Sequence, residues 1–182
     1  MHRLQKAAVL TRLMEQMRLK GSWSGETHVQ KATLFLQNLM GVPLGFDFIL
    51  YKHGPFSFDL RDELTSLRAD ELIKLEPQSG YGPRIATTDQ SKYIQGLYSK
   101  TLEKYDDAIS FVTAKLGNKG VADLERLATA LYVTQRSTDV SSIDERAAKL
   151  TQLKPHIARD EAVAAVSEVD QIIAQAGQIG MT

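Results

Sequence analysis

Residues 49–64, ILYKHGPFSFDLRDEL, decide how the chain is read. They begin at the end of an alternating aromatic segment, pass through Gly54 and Pro55, and open into a helical pattern. In residues 46–52 (FDFILYK), Phe46, Phe48 and Leu50 share one face at the two-residue spacing of a short strand. Gly54-Pro55 is a turn signal. Ser57 and Asp59 suit the start of a helix on which Leu60, Leu64 and Leu67 line up. The expectation is a strand-to-helix corner: Gly54 supplies backbone freedom, Pro55 fixes the turn, and Phe56 and Phe58 anchor it. His53 invites a catalytic reading, because an imidazole titrates near neutrality. No acid or nucleophile lies at a spacing that would serve it, so the corner reading is preferred.

Upstream, residues 3–20 read as a helix, with Leu10, Leu13, Met14 and Met17 at helical spacing. GSWSG (21–25) is a turn, Ser24 is the expected cap of a second helix, and Glu26 complements that helix's dipole. The second helix runs to about residue 40, with Val29, Ala32, Leu36, Leu39 and Met40 as its stripe. Downstream, two short strands near 72–76 and 84–87 flank a Gly/Pro/Ser turn and form a hairpin. Helix, helix, short strand, helix, hairpin is an order that resembles a winged helix, with the hairpin as the wing.

From residue 89 the pattern is helical throughout. Tyr98, Leu102, Tyr105, Ile109, Val112 and Leu116 form a seam on one helix of roughly 25 residues. It packs within the chain or against a second copy, and the apolar helices that follow favour the first. Leu124, Leu127, Ala128 and Leu131 mark the next helix, and residues 142–145 (SIDE) form a capping box for a short one. The last helix covers 162–176, closed by Gly177, with a loose tail at 178–182. The predicted fold is mainly α with a small β-hairpin wing. A winged-helix-like unit (1–90) packs against a C-terminal helical bundle (91–182), and the two are expected to form one compact body.

The composition excludes several classes. With 182 residues the chain can bury a real core. It has no cysteine, which removes disulfides, thiolate catalysis and cysteine-bound zinc. Lys+Arg and Asp+Glu both number 22, so no basic nucleic-acid footprint exists for the whole chain. No stretch approaches a transmembrane span and no secretory apolar core opens the chain, so a cytoplasmic protein is expected. The four histidines (His2, His28, His53, His156) show no metal-ligand spacing, and the common phosphate-binding loops are missing. Neither catalytic residues nor a cofactor or metal are assigned.

Charge is unevenly placed. Residues 56–76 carry Arg61, Arg68 and Lys74 against Asp59, Asp62, Glu63, Asp70, Glu71 and Glu76. An acidic third helix is a poor reader of phosphate backbones. Residues 1–35 reverse the balance, with Arg3, Lys6, Arg12, Arg18, Lys20 and Lys31 against Glu15 and Glu26. The candidate DNA contacts are therefore Arg3, Lys6, Arg12, Arg18 and Lys20 on the first helix and Arg84 on the wing. Mixed charge and the aromatics Tyr51, Phe56, Phe58 and Tyr81 suit protein recognition at least as well.

Residues 28–64 carry a resemblance. Gln30, Lys31 and Gln37 match a helix of the form QK-x-x-x-x-x-Q, and Tyr51, Lys52, Gly54, Pro55 and Phe56 match a strand ending in YK-x-GP-[FYV]. Together they resemble the Panacea, or SocA-like, antitoxin domain and the related YwgA-like bacterial proteins over roughly residues 25–90. The resemblance implies an interaction module that neutralises a partner protein or presents it for proteolysis, with no catalytic residues to carry over. On it, Gln30, Lys31, Tyr51, Lys52, His53, Gly54, Pro55 and Phe56 are the candidate interaction residues, and a protein is the expected partner. A DNA-binding regulator using the first helix and wing is the alternative.

Overall fold

Helix α1 (Arg3–Leu19) is the element around which the others assemble. Ala7, Ala8, Val9, Leu10, Thr11, Leu13, Met14 and Met17 are all buried, so little more than one edge of the helix meets solvent. Such a broad apolar surface must be covered on several sides. Helices α2 (Glu26–Leu34), α4 (Asp89–Leu97) and α5 (Ser99–Leu116) and strand β4 (Arg84–Thr87) cover it. The computed structural model describes residues 1–80, 82–137 and 141–179. Tyr81 and the last three residues of the expected loose tail lie outside the described residues.

Among the described residues the fold is mainly helical, with two small antiparallel hairpins. Helix α2 widens into a π-helical turn, Phe35–Leu39. An extended segment follows in which Val42, Leu44, Phe46 and Phe48 are buried. The first hairpin pairs β1 (Ile49–Tyr51) with β2 (Gly54–Phe56), Tyr51 opposite Gly54. Helix α3 (Phe58–Ala69) starts at Ser57, whose hydroxyl accepts the Leu60 N–H. The second hairpin pairs β3 (Ile73–Glu76) with β4, Ile73 opposite Thr87. Helices α6 (Val121–Gln135), α7 (Ile143–Leu153) and α8 (Arg159–Ile179) pack on one another, and α6 also packs on α2 and β2. One cluster of buried side chains runs from Ala7 through Leu60 and Ile109 to Ile172.

Several sequence-based expectations change. Gly54-Pro55 is not the turn. It is the start of β2, and the turn is Lys52-His53. The strand expected over 46–52 pairs only from Ile49, although Phe46 and Phe48 do share a buried face. Ser24 does not cap α2. It sits at φ 57°, and Gly25 is the N-cap. The long helix expected after residue 89 breaks at Tyr98, whose φ of −112° and ψ of 32° leave the helical region. Gly96, two residues upstream, is the local signal for that break that the seam's spacing overrode. The seam itself holds: Leu102, Ile109, Val112 and Leu116 are buried, and α5 packs against α1 inside the chain. Gly177 lies within α8 rather than closing it. The Ser142–Glu145 capping box forms as expected.

Candidate functional site

The β1–β2 hairpin has three residues per strand, and a ladder this short is marginal by itself in water. Side chains from α2 and from the end of α7 hold it instead. Gln30 on α2 receives the Ser57 N–H at 3.0 Å and donates to the Ser57 carbonyl at 2.9 Å. Lys31, next on the same helix, donates from Nζ to the Pro55 carbonyl at 2.6 Å. Lys154, after α7, donates to the carbonyls of Tyr51 at 2.5 Å and Lys52 at 2.7 Å. One helical turn past Leu34, Gln37 does the same for the extended segment: it accepts the Phe46 N–H and donates to the Phe46 carbonyl, both at 2.8 Å. Buried main-chain groups need partners, and amide and ammonium side chains supply here what neighbouring strands supply in a sheet.

Lys31 is 1% exposed, so its charge is held far from water. Burial lowers its pKa from 10.5 to about 8, against which the Glu125 carboxylate on α6 pulls upward. Glu125 is itself buried, 3.7 Å from Lys154 Nζ, with His156 Nε2 at 3.3 Å and His53 Nδ1 at 4.0 Å. Both histidines are more than half exposed. His53 thus does have an acidic neighbour, one that lies 72 residues away in sequence and invisible to local spacing. The cluster fixes three hairpin carbonyls. Among the described residues, no group of three or more His, Cys, Asp or Glu side chains could hold a metal ion.

Gly54 explains the fit of hairpin to helix. Its φ is +80°, a conformation that favours glycine. A Cβ there would lie 2.9 Å from the Thr129 hydroxyl and 3.4 Å from the Glu125 carbonyl on α6. The corner therefore needs glycine for both backbone shape and close approach.

On its outer side the corner shows an aromatic trio. Tyr51, Phe56 and Phe58 meet pairwise with ring centroids 5.2–5.7 Å apart, two of the contacts edge-to-face. Tyr51 is 52% and Phe58 37% exposed, and Ile49 beside them is 49% exposed. Of the expected anchors Phe56 and Phe58, Phe58 is exposed and Phe56 half-buried. The anchors are Gln30, Lys31 and Lys154, and the rings face outward.

The eight candidate interaction residues come together: Gln30 and Lys31 beneath the hairpin, and Tyr51, Lys52, His53, Gly54, Pro55 and Phe56 in it. The candidate DNA contacts are largely engaged elsewhere. Arg3 pairs with Glu63 and Asp70, and Arg18 with Glu76 at 3.1 Å. Lys6 lies over the Phe46 ring at 5.3 Å. Arg84 donates to the Trp23 carbonyl and stacks on its ring at 5.0 Å. Arg12 is half-buried, and Lys20 is exposed.

Sequence reasoning missed Glu125, Lys154 and His156. For Glu125 a signal existed: it shares a helical face with Ala128 and Thr129, small residues that permit close backbone approach, so a carboxylate there is buried. No such pattern marks Lys154. No protein-family model matches the chain, and no curated protein matches it.

Gly54→Ala is expected to destabilise the protein by about 2 kcal/mol or more, through positive φ and the contact with Thr129. Urea denaturation measures it. Lys31 gives a pH signature. Its folded pKa of about 8 lies below the 10.5 of free lysine, so the unfolded chain binds more protons between those values. Stability therefore rises with pH across that window. Relative to Lys31→Met, which has no such group, the wild type should gain up to about 3 kcal/mol from pH 8 to 10.5. A pH-independent difference between the two proteins would refute the buried-ammonium account.

Proposed function

We propose that the chain is a non-enzymatic interaction module that binds a partner protein through the aromatic face of the clamped corner. The observation that carries this reading is the Tyr51–Phe56–Phe58 trio, with Tyr51 and Phe58 exposed around a half-buried Phe56 and the corner fixed from beneath by Gln30, Lys31 and Lys154. Aromatic side chains dominate binding energy at protein interfaces, and a patch ordered in advance loses little entropy on docking. Arg61, 4.9 Å from the Phe58 ring, extends the patch with the other residue type enriched at such sites.

In this reading residues 1–90 act as a winged-helix-like unit with β3–β4 as the wing, and the later helices form a bundle against it. The resemblance of Gln30-Lys31 and of Tyr51–Phe56 to the Panacea, or SocA-like, group supports an antitoxin or proteolytic-adaptor role in the cytoplasm. Among the described residues, no helix is long and apolar enough to cross a membrane. The DNA-binding alternative draws less support, because Arg3, Arg18 and Arg84 already have partners within the chain.

The test is affinity capture from the native host with wild type and the double variant Tyr51→Ala/Phe58→Ala. Both residues are exposed enough for the variant to fold, which circular dichroism checks. The expected result is a stoichiometric partner protein held by wild type and by a Lys92→Ala control. The double variant should bind it more weakly by about 2 kcal/mol or more, roughly thirtyfold. Undiminished capture by the double variant would move the interface elsewhere. Recovery of the wild type alone and monomeric would defeat the reading altogether.

A further inference from the structure

A groove of about 750 Å³ lies between α3 and the second hairpin, away from the clamp. That volume is typical of small-molecule sites. Trp23, Leu64, Ile73, Leu75, Ile85 and Val121 make it mainly apolar. Its polar groups are few: Arg61 and Arg68 on one face of α3, Glu26 and His28 from the first turn of α2, and Thr27 and Thr65.

Three features converge on a ligand. First, Gly25 and Gly120, the N-caps of α2 and α6, both line the groove, and neither helix has a side-chain cap. Uncapped helix starts present free N–H groups and the positive end of the helix dipole. Second, Arg68 is exposed and, among the described residues, has no acidic partner. Third, His28 is 3% exposed, yet its Nδ1 is buried without a hydrogen-bond partner. Burial lowers its pKa and keeps the ring neutral, so Nδ1 adds no charge of its own. An unmet buried polar atom on an otherwise apolar wall costs stability unless something fills the groove and meets it. Gly25 keeps that end open: a Cβ there would come within 3.3 Å of the Trp23 ring and 3.8 Å of His28 Nδ1.

Glu26 is the one acid on the lining, and it occupies the field at the start of α2. Asp123, in the first turn of α6, does the same at that helix start. An incoming anion is therefore directed to the arginines of α3. We infer that the groove binds a small amphiphilic acid, with an apolar body along the hairpin wall and a carboxylate held by Arg61 and Arg68. Arg61 borders both this site and the aromatic corner, whereas Arg68 lines the groove alone, and neither reading requires the other.

Trp23 is the chain's single tryptophan, so its fluorescence reports occupancy directly. The probes are decanoate, decanol and decylamine, each titrated to about 1 mM, the weak limit of useful affinity. Decanoate should give a saturable change, and decanol and decylamine should bind at least about tenfold more weakly. Arg68→Ala should weaken decanoate about tenfold, as loss of a charge-assisted contact does. The variant should keep its fold, because Arg68 is exposed, and should still capture the protein partner. No saturation by decanoate, equal binding of decanol, or unaltered affinity in Arg68→Ala would each overturn the assignment.

Discussion

The contact between the Lys31 ammonium and the Pro55 carbonyl is the constraint on which the rest of this structure turns. A charge almost fully removed from water is costly unless it is met by oppositely directed dipoles or charge. Here the hairpin's carbonyls supply the dipoles and Glu125 supplies the charge. Lys154 repeats the arrangement from the C-terminal half, more than a hundred residues away. The two lysines and the carboxylate between them join α2, α6, α7 and the hairpin. Removing one member would leave the others buried and unmet, which is why such groups behave as a unit.

This clamp changes the meaning of the charge pattern. The basic block at the start of the chain and the acidic block over α3 and β3 look like two separate surfaces in the sequence. In the fold they face each other, and Arg3 and Arg18 meet Glu63, Asp70 and Glu76. Ion pairs this exposed stabilise little. Their effect is to cancel a field that would otherwise steer the chain toward nucleic acid. What remains distinctive on that side is apolar and aromatic, displayed on a backbone that the clamp prevents from rearranging.

Much of the helical framework was legible in the sequence because local chemistry determines it. Ser57 and Ser142 cap the helices they were expected to cap, and the α5 seam faces inward as its spacing implied. The failures share a cause. The β1–β2 hairpin and the inward Glu125 both answer to neighbours distant in sequence. Gly54-Pro55 has the composition of a turn, yet glycine is needed there because Thr129 lies against it. The local signal was real and its assigned reason was wrong. The outward aromatics are the same case. Phe58 reads as core by composition and lysine reads as surface, but Phe58 is exposed and Lys31 and Lys154 are buried.

That exchange of places makes sense of the paired patterns in the sequence. Gln30 and Gln37 lie seven residues apart, about two helical turns, with Lys31 beside the first. These helix side chains read the backbone at three points, Phe46, Pro55 and Ser57. Because they bind main-chain atoms, they constrain the path of the corner and leave its side chains free. Only the glycine and proline of the corner are tied to the clamp by shape. The outward positions Ile49, Tyr51, Phe56 and Phe58 are therefore the ones at which the same scaffold can change what it meets without changing how it folds.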